Sequence, residues 1–180
     1  MEQFFRIIFT RLFLFILLAV IGCNSGDDHV LHTYNTYKFD QKVIDKLPVY
    51  DSLVHAILEK INIFKSSIDG NDAYQAFRYM PASIEPEVFK RLPQEIGPGI
   101  DGYFAELGKD FIYGFDVFKD STIKIYVRSQ TITNGSVIIE ENLSYYPAGS
   151  NQRQREYPVK DTILSKHWQY WARISKESLF

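Results

Sequence analysis

Hydrophobic side chains recur every three or four residues between Val49 and Lys65, which is the spacing of one face of an α-helix. The stripe comprises Tyr50, Leu53, Val54, Ile57, Ile61 and Phe64. Pro48 suits the first turn of a helix, and Ile68–Asn71 supplies residues typical of a helix end. The pattern therefore predicts one helix after Pro48. The next segment, Asp72–Met80, has weaker periodicity and fits either a helix or a strand.

Four prolines, at positions 81, 86, 93 and 98, interrupt the segment that follows. Because proline is disfavoured in the interior of a helix, only short helices such as Glu85–Leu92 fit between them. We expect Gly97-Pro98-Gly99 to break the chain before the strands begin.

From Phe111 onward, hydrophobic and polar residues alternate, which is the period of strands that bury one face. The hydrophobic positions are Phe111, Tyr113, Phe115 and Val117, then Ile123, Ile125 and Val127, then Val137, Ile139, Leu143 and Tyr145. The alternation predicts an antiparallel meander.

The segment Thr133-Asn134-Gly135 marks a hairpin inside this meander. A two-residue loop would place the hydrophobic positions of the two strands on opposite faces of the sheet. A three-residue loop instead pairs Ile125 with Leu143, and it puts Gly135 where a left-handed residue is needed. By the same register, Ile123 pairs with Tyr145. We therefore predict the three-residue loop.

The C-terminal part of the chain continues the sheet. Ala148–Arg155 is polar and predicts a long exposed loop, followed by strands at Tyr157–Val159 and near Leu164–Ile174. In the last strand, Trp168 and Tyr170 fall on one face and Trp171 falls on the other. A helix packed on one face explains the first pair and leaves Trp171 on the opposite side.

Helices first and antiparallel strands second predict an α+β fold, with an N-terminal helix or helices packed on a meander sheet of about four strands. The element order is similar, as a fold analogy only, to cystatin-like and NTF2-like domains. Folds of this kind host binding modules, enzymes and structural parts alike, so the fold class names no activity.

The first 22 residues have the organisation of a secretory signal. Arg6 and Arg11 precede the uncharged stretch Leu12–Gly22, which is shorter than the roughly 20 apolar residues that a membrane-spanning helix needs. The only cysteine, Cys23, follows directly. The sequence Val20-Ile21-Gly22-Cys23 resembles the lipobox of bacterial lipoprotein precursors. An uncleaved signal anchor with an incidental cysteine is the alternative.

The resemblance implies that the Cys23 thiol receives a diacylglycerol and that cleavage makes Cys23 the first, further acylated, mature residue. Two or more acyl chains suffice for stable anchoring, because each buried methylene contributes about 0.8 kcal/mol. Asn24, where an Asp usually retains lipoproteins of Gram-negative families at the inner membrane, implies the outer membrane. Asp27-Asp28 is also similar to the acidic run in surface-exposed lipoproteins of the Bacteroidota. Whether the protein lies on the periplasmic or on the surface face of the outer membrane stays open.

These features divide the chain into a signal peptide (1–22), a lipidated tether (23–33) and a single α+β domain (34–180). Removing residues 1–22 leaves 21 of the 22 acidic and 18 of the 20 basic side chains, so the net charge of −3 gives no electrostatic case for nucleic acid. A lone cysteine cannot form an internal disulfide. Stability must therefore come from packing.

No catalytic, metal or cofactor motif stands out. Asp27, Asp28, His29 and His32 are potential metal donors, but a solvated linker is the favoured interpretation because a tether would not hold their geometry. His55 flanks the helical stripe and is expected to be structural. His167 would act as an acid or base only with a carboxylate such as Glu140 or Glu141 across the sheet.

Nucleophile motifs and phosphate-binding loops are missing from the sequence. The carboxylates of the meander are Asp116, Asp120, Glu140 and Glu141. A glycosidase would need two of them about 5 to 9.5 Å apart, and surface strands carry acids routinely.

Aromatic residues cluster near the C-terminal hairpin. The candidate ligand-binding set is Tyr145, Tyr146, Tyr157, Trp168, Tyr170 and Trp171, with Arg153 and Arg155 in the adjacent loop. Such rings would line the base of a groove that binds sugar, lipid or peptide, or they would simply fill the core. The second, structural interpretation is favoured.

We therefore expect a membrane-anchored envelope lipoprotein whose non-catalytic domain binds a small ligand or another envelope protein. An envelope enzyme with a site formed by distant carboxylates or His167, and a structural subunit of an envelope complex, are the alternatives.

Overall fold

The computed structural model describes residues 27–68, 75–80, 97–132, 136–148 and 157–176. The described helices are α1 (27–36), α2 (Gln41–Asp45), α3 (Leu47–Glu59), α4 (Ile61–Ser66) and α5 (Gly97–Leu107). The described strands are β1 (Ala76–Tyr79), β2 (Gly114–Phe118), β3 (Ile123–Ile132), β4 (Val137–Tyr145), β5 (Val159–Ile163) and β6 (Trp168–Lys176). All six join one antiparallel sheet in the order β1-β2-β3-β4-β6-β5.

The α+β class is therefore confirmed, but the described sheet has six strands where the sequence predicted about four. β1 falls in the segment that fitted either a helix or a strand, and four residues are too few to show a period. The strand expected at Tyr157–Val159 lies further along the chain, at Val159–Ile163.

The predicted helical stripe forms the centre of the core. Tyr50, Leu53, Val54, Ile57 and Phe64 are all buried. The stripe is shared by α3 and α4, since the helix is interrupted at Lys60. With hydrophobic residues from α2 and α5, it packs on one face of the sheet, against Phe77, Phe115, Val117, Ile125 and Leu143. That surface is called the helix face below, and the opposite surface is called the outer face.

Two expectations for the helices differ from the structure. Gly97-Pro98-Gly99 does not break the chain, because α5 begins at Gly97 and proline is well suited to a first helical turn. Residues 27–33, expected to belong to a tether, lie in α1, and Val30 and Thr33 are buried. The spacing of three between Val30 and Thr33 is helical, and it was hidden by the polar residues around it.

The predicted β3–β4 register is confirmed for Ile125 with Leu143 and for Ile123 with Tyr145. The pairing then shifts by one residue between Tyr126 and Arg128, which is a β-bulge at Val127. The last pair is Ile132 with Val137, so four residues rather than three separate the paired strands.

In β6, Trp168 and Tyr170 lie in the core under the helices, whereas Trp171 pairs with Asn142 on the outer face. The predicted division of the indoles between two faces is therefore confirmed. Several predicted features lie outside the described residues: the segment 1–26 with Cys23, Glu85–Leu92, Thr133-Asn134-Gly135, and Arg153 with Arg155.

Candidate functional site

Polar side chains run straight across the outer face of the sheet. Cross-strand pairing connects β1 to β6 through one row of residues, namely Arg78, Asp116, Lys124, Ser144 and Gln169. The adjacent row contains Tyr126, Asn142, Trp171 and Asp161. Asp116, Asn142, Ser144 and Gln169 are buried, so this face is polar but largely removed from water.

Arg78, Asp116 and Tyr126 form a hydrogen-bonded triad within the first row and its neighbour. The guanidinium donates to both oxygens of Asp116, from Nε at 2.9 Å and from Nη2 at 3.1 Å. Nη2 also donates to the Tyr126 hydroxyl at 3.0 Å, and that hydroxyl donates to Asp116. The hydrogen bonds from Arg78 to Asp116 raise the pKa of the guanidinium, while burial and the Asp116 charge raise the pKa of Tyr126.

A glycine in β2 leaves room for the end of β1 beside this triad. A Cβ atom built on Gly114 would lie 2.7 Å from the backbone oxygen of Tyr79, which is closer than real Cβ contacts allow. Gly114 pairs with Tyr126, so the absence of a side chain brings the β1 end next to the triad.

Lys124 adds a cation over two aromatic rings. Its Nζ atom lies 4.2 Å from the ring centre of Tyr126 and 4.9 Å from that of Trp171. The Trp171 indole N–H donates to Ser144 Oγ at 2.9 Å, which fixes the ring plane. Cation–π contacts of this kind strengthen when water is excluded.

These groups line an open cleft of about 380 Å³ on the outer face. Its lining residues are Arg78, Asp116, Phe118, Asp120, Thr122, Lys124, Tyr126, Ser144, Tyr146 and Trp171. The lining combines positive and negative side chains with aromatic rings. The cleft can therefore offer both hydrogen bonds and apolar surface to a bound molecule.

The structure divides the predicted aromatic set. Tyr146 and Trp171 line the outer cleft, whereas Tyr145, Trp168 and Tyr170 are buried on the helix face. Tyr157 is 54% exposed and packs edge-on against Tyr34. Ligand binding by any of these residues stays a prediction.

A second polar cluster lies inside the helix face and was not predicted. Glu141 is fully buried, and its carboxylate accepts from Arg128 Nη2 at 2.8 Å and from the Tyr170 hydroxyl. Arg128 Nη1 donates to Asp40 at 2.8 Å. The cluster lies between the main core and a smaller one formed by Val30, Val137, Ile139, Ala172 and Ile174.

The β-bulge accounts for this cluster. Strict alternation from Ile125 would point Arg128 away from the helices, but the extra residue at Val127 pairs Arg128 with Glu141 on the helix face. Sequence periodicity cannot reveal one inserted residue. The available signal was Glu141, which interrupts the hydrophobic positions of β4, whereas Arg128 stands where alternation in β3 already expects a polar residue.

Electrostatics inside the cluster lower the pKa of the Asp40 carboxyl and raise the pKa of the phenols. Partial burial opposes ionisation of Asp40, but the Lys42 N–H and the Arg128 guanidinium outweigh it and hold the pKa of Asp40 below its ordinary value. Burial and the neighbouring Tyr37 and Glu141 raise the pKa of Tyr170. Among the described residues of this cluster, the buried Arg128 Nε lacks a hydrogen-bond partner.

The candidate catalytic residues are not brought together. His167 Nδ1 lies 2.8 Å from the backbone oxygen of Tyr146, and its ring stacks on Tyr145. Glu140 and Glu141 instead pair with Arg173 and Ala172 of β6. These two partners lie six and five residues beyond His167 in the chain, so neither glutamate is opposite His167.

Of the remaining titratable candidates, Asp116 and Asp120 both line the outer cleft, whereas Glu141 and Asp51 lie elsewhere. Asp116 belongs to the outer face and Glu141 to the helix face. Asp51 lies between the exposed His55, 3.9 Å away, and the indole N–H of Trp168. Within the described ranges, His, Cys, Asp and Glu form no group of three that would hold a metal ion.

An additional open cleft of about 520 Å³ is lined by Lys109, Asp110, Tyr113, Arg128 and Ser129. It reaches the guanidinium of the buried cluster but contains few aromatic groups. None of the helices that the structure describes is long and apolar enough to cross a membrane.

Comparison of the chain with protein-family models, with curated proteins and with solved structures found no match. Its site is therefore interpreted from its own geometry.

Proposed function

We propose that this chain is a lipid-anchored protein of the bacterial envelope whose non-catalytic domain binds a small ligand in the outer cleft. The observation that carries the anchor is Val20-Ile21-Gly22-Cys23 directly behind the short apolar stretch Leu12–Gly22. Acyl chains on Cys23 would hold the domain at the bilayer, and Asn24 favours the outer membrane. The finer fold proposal, a likeness to cystatin-like and NTF2-like domains, is supported by helices that cover one face of the sheet.

The chemistry of the outer cleft favours an uncharged polar ligand with an apolar side, such as a short saccharide. Two cations, Arg78 and Lys124, face two acids, Asp116 and Asp120, so the formal charges of the lining balance. Neither an anion nor a cation would gain a net attraction there. Phe118 and Tyr146 are only half-buried and supply ring surface, while Ser144 and Thr122 supply hydroxyl groups.

Binding rather than catalysis fits the engagement of the acidic groups. Both oxygens of Asp116 accept hydrogen bonds from Arg78, and Asp120 accepts from the Thr122 backbone N–H at 2.8 Å. A carboxylate held in this way is suited to orient a neighbouring donor, whereas a general acid or base must exchange a proton with the substrate.

Membrane fractionation of the full-length chain tests the anchor. In a bacterial host, wild-type protein should sediment with membranes and stay there after a high-salt wash. Cys23→Ser should move the protein to the soluble fraction or leave it as uncleaved precursor. Ser25→Ala, two residues away, is the matched control and should behave as wild type. Equal distribution of Cys23→Ser and wild type would contradict the proposal.

Tryptophan fluorescence tests the cleft. In a Trp168→Phe background, Trp171 is the remaining indole of the chain, which holds two tryptophans. Titration with neutral mono- and disaccharides should shift its emission saturably. Tyr146→Ala should weaken the binding at least several-fold, and Tyr157→Ala, outside the cleft, should not. Absence of a saturable shift with every sugar tested would refute the saccharide proposal.

A further inference from the structure

Helix α1 is the first described element after Cys23, and it is fixed to the sheet. Val30 is 5% exposed and packs with Val137, Ile139, Ala172 and Ile174 at one end of β4 and β6. The beginning of α1 therefore cannot move independently of this end of the sheet without exposing apolar surface.

Two lysines contact the ends of α1. At its beginning, the Asp27 carboxylate lies 2.7 Å from Lys176 Nζ, at the last residue of β6. At its end, Lys160 Nζ donates to the backbone oxygens of Tyr34 and Tyr37 at 3.1 and 2.9 Å. A cation at these carbonyls satisfies the free acceptors of the helix C-terminus.

The chain between the proposed anchor and this fixed point is short. Asp27 follows Cys23 by four residues, which span at most about 14 Å even when fully extended. With acyl chains on Cys23, Asp27 and the end of β6 must therefore lie close to the bilayer surface. A long tether would have left the domain free to take any orientation.

We infer that the lipidated protein stands on the bilayer with one defined end of its sheet. This membrane-facing end comprises the end of β3 at Ile132, the beginning of β4 at Val137 and the end of β6 at Lys176, and its partner is a phospholipid surface. The inference rests on the proposed anchor and adds the orientation of the domain.

The orientation places the outer cleft away from the membrane. Its residue Ser144 lies seven positions beyond Val137 on β4, which at about 3.3 Å per residue is about 23 Å along the strand. The cleft therefore opens at the end of the sheet that is remote from the lipid, where a dissolved ligand has access.

Site-specific fluorescence quenching tests the orientation. Thr131→Cys and Lys119→Cys place single probes at exposed positions on the membrane-facing and the remote ends. Each lipidated full-length protein is labelled with a maleimide fluorophore and reconstituted in phosphatidylethanolamine and phosphatidylglycerol vesicles that contain headgroup-nitroxide lipid. The probe at position 131 should lose several-fold more fluorescence than the probe at position 119. Equal loss, or the reverse order, would overturn the inference.

A matched pair of variants tests the role of α1. Val30→Asp should release α1 from the sheet and reduce the difference between the two probes. His32→Asp places the same side chain on the exposed side of α1 and should preserve the difference. An unchanged difference in a folded Val30→Asp protein would show that α1 docking does not set the orientation.

The wild-type protein separates this inference from the proposed function. A thioether-linked Cys23 cannot react with maleimide. Lipidated wild-type protein, which has no introduced cysteine, should therefore remain unlabelled and float with the vesicles. Labelled wild type that does not float would overturn both the anchor and the orientation. Floating protein with equally quenched probes would overturn the orientation alone.

Discussion

At the scale of single residues, Glu141 is a fully buried carboxylate that forms an ion pair with Arg128, which also pairs with Asp40. Removing two ions from water is costly, and their attraction offsets this cost only when the geometry and the remaining hydrogen bonds are good. Here the Tyr170 hydroxyl supplies a further hydrogen bond to Glu141. Loss of one partner should therefore harm the protein more than loss of both.

Arg128→Met should reduce the free energy of unfolding by about 3 to 5 kcal/mol, because it leaves the Glu141 charge buried without its partner. Adding Glu141→Leu to this variant should recover most of the loss. Urea denaturation followed by circular dichroism measures both effects. As a control, replacement of the exposed Arg173 by Met should change stability by no more than about 0.5 kcal/mol. A double variant as unstable as Arg128→Met would contradict the pairing.

Through Asp40, the stability that the same cluster contributes depends on pH. Its pKa is lower in the folded protein than in the unfolded chain, so its contribution to stability is present above about pH 4 and fades as the pH falls through the folded-state pKa. Asp40→Asn should therefore flatten the acid limb of the stability curve, measured by urea denaturation in steps between neutral and acidic pH. An acid limb as steep as that of wild type would count against the contact with Arg128.

At the scale of elements, Gly114 leaves room for the end of β1, because it has no side chain. Gly114→Ala would place a Cβ atom 2.7 Å from the Tyr79 backbone oxygen, and overpacking of this kind typically costs about 1 to 3 kcal/mol. Gly102→Ala, inside α5 with no atom within 4 Å of the new Cβ, should stabilise by about 0.5 to 1 kcal/mol. Thermal unfolding should show shifts of opposite sign. Two shifts of the same sign would refute this packing.

Elements with strong periodicity could be predicted from the sequence. The stripe from Tyr50 to Phe64 determined where helices pack, and alternation in β3 and β4 determined the register near Ile125. The bulge at Val127 could not be predicted, because one inserted residue leaves no periodic trace. Its consequence, the Arg128–Glu141 pair, was missed for the same reason.

The candidate site shows the limit of pattern reading more clearly. Alternation correctly placed Trp168 and Trp171 on opposite faces, but it did not indicate which of the two lines a cleft. Arg78 and Tyr126, which hold Asp116, are 48 residues apart in the chain and meet only through the β1-β2-β3 pairing. Single-sequence periodicity carries no information on such contacts.

At the scale of the whole molecule, the two faces of the sheet differ in structural role. The helix face buries the hydrophobic core around its charged cluster, while the outer face presents a polar and aromatic cleft. The chain passes from α1 at one end of the sheet to α3 above Trp168 near the other, where Asp51 accepts the indole N–H at 3.1 Å. In the proposed arrangement, the acyl chains lie at the first end and the cleft at the second.

Mass spectrometry of the N-terminal peptide of the mature protein, purified from bacterial membranes, tests the proposed anchor most directly. Lipidation at Cys23 should yield a peptide that begins at Cys23 and carries the added mass of a diacylglyceryl group, with or without a further amide-linked acyl chain. A mature chain that begins at another residue, or a Cys23 that retains a free thiol, would contradict it.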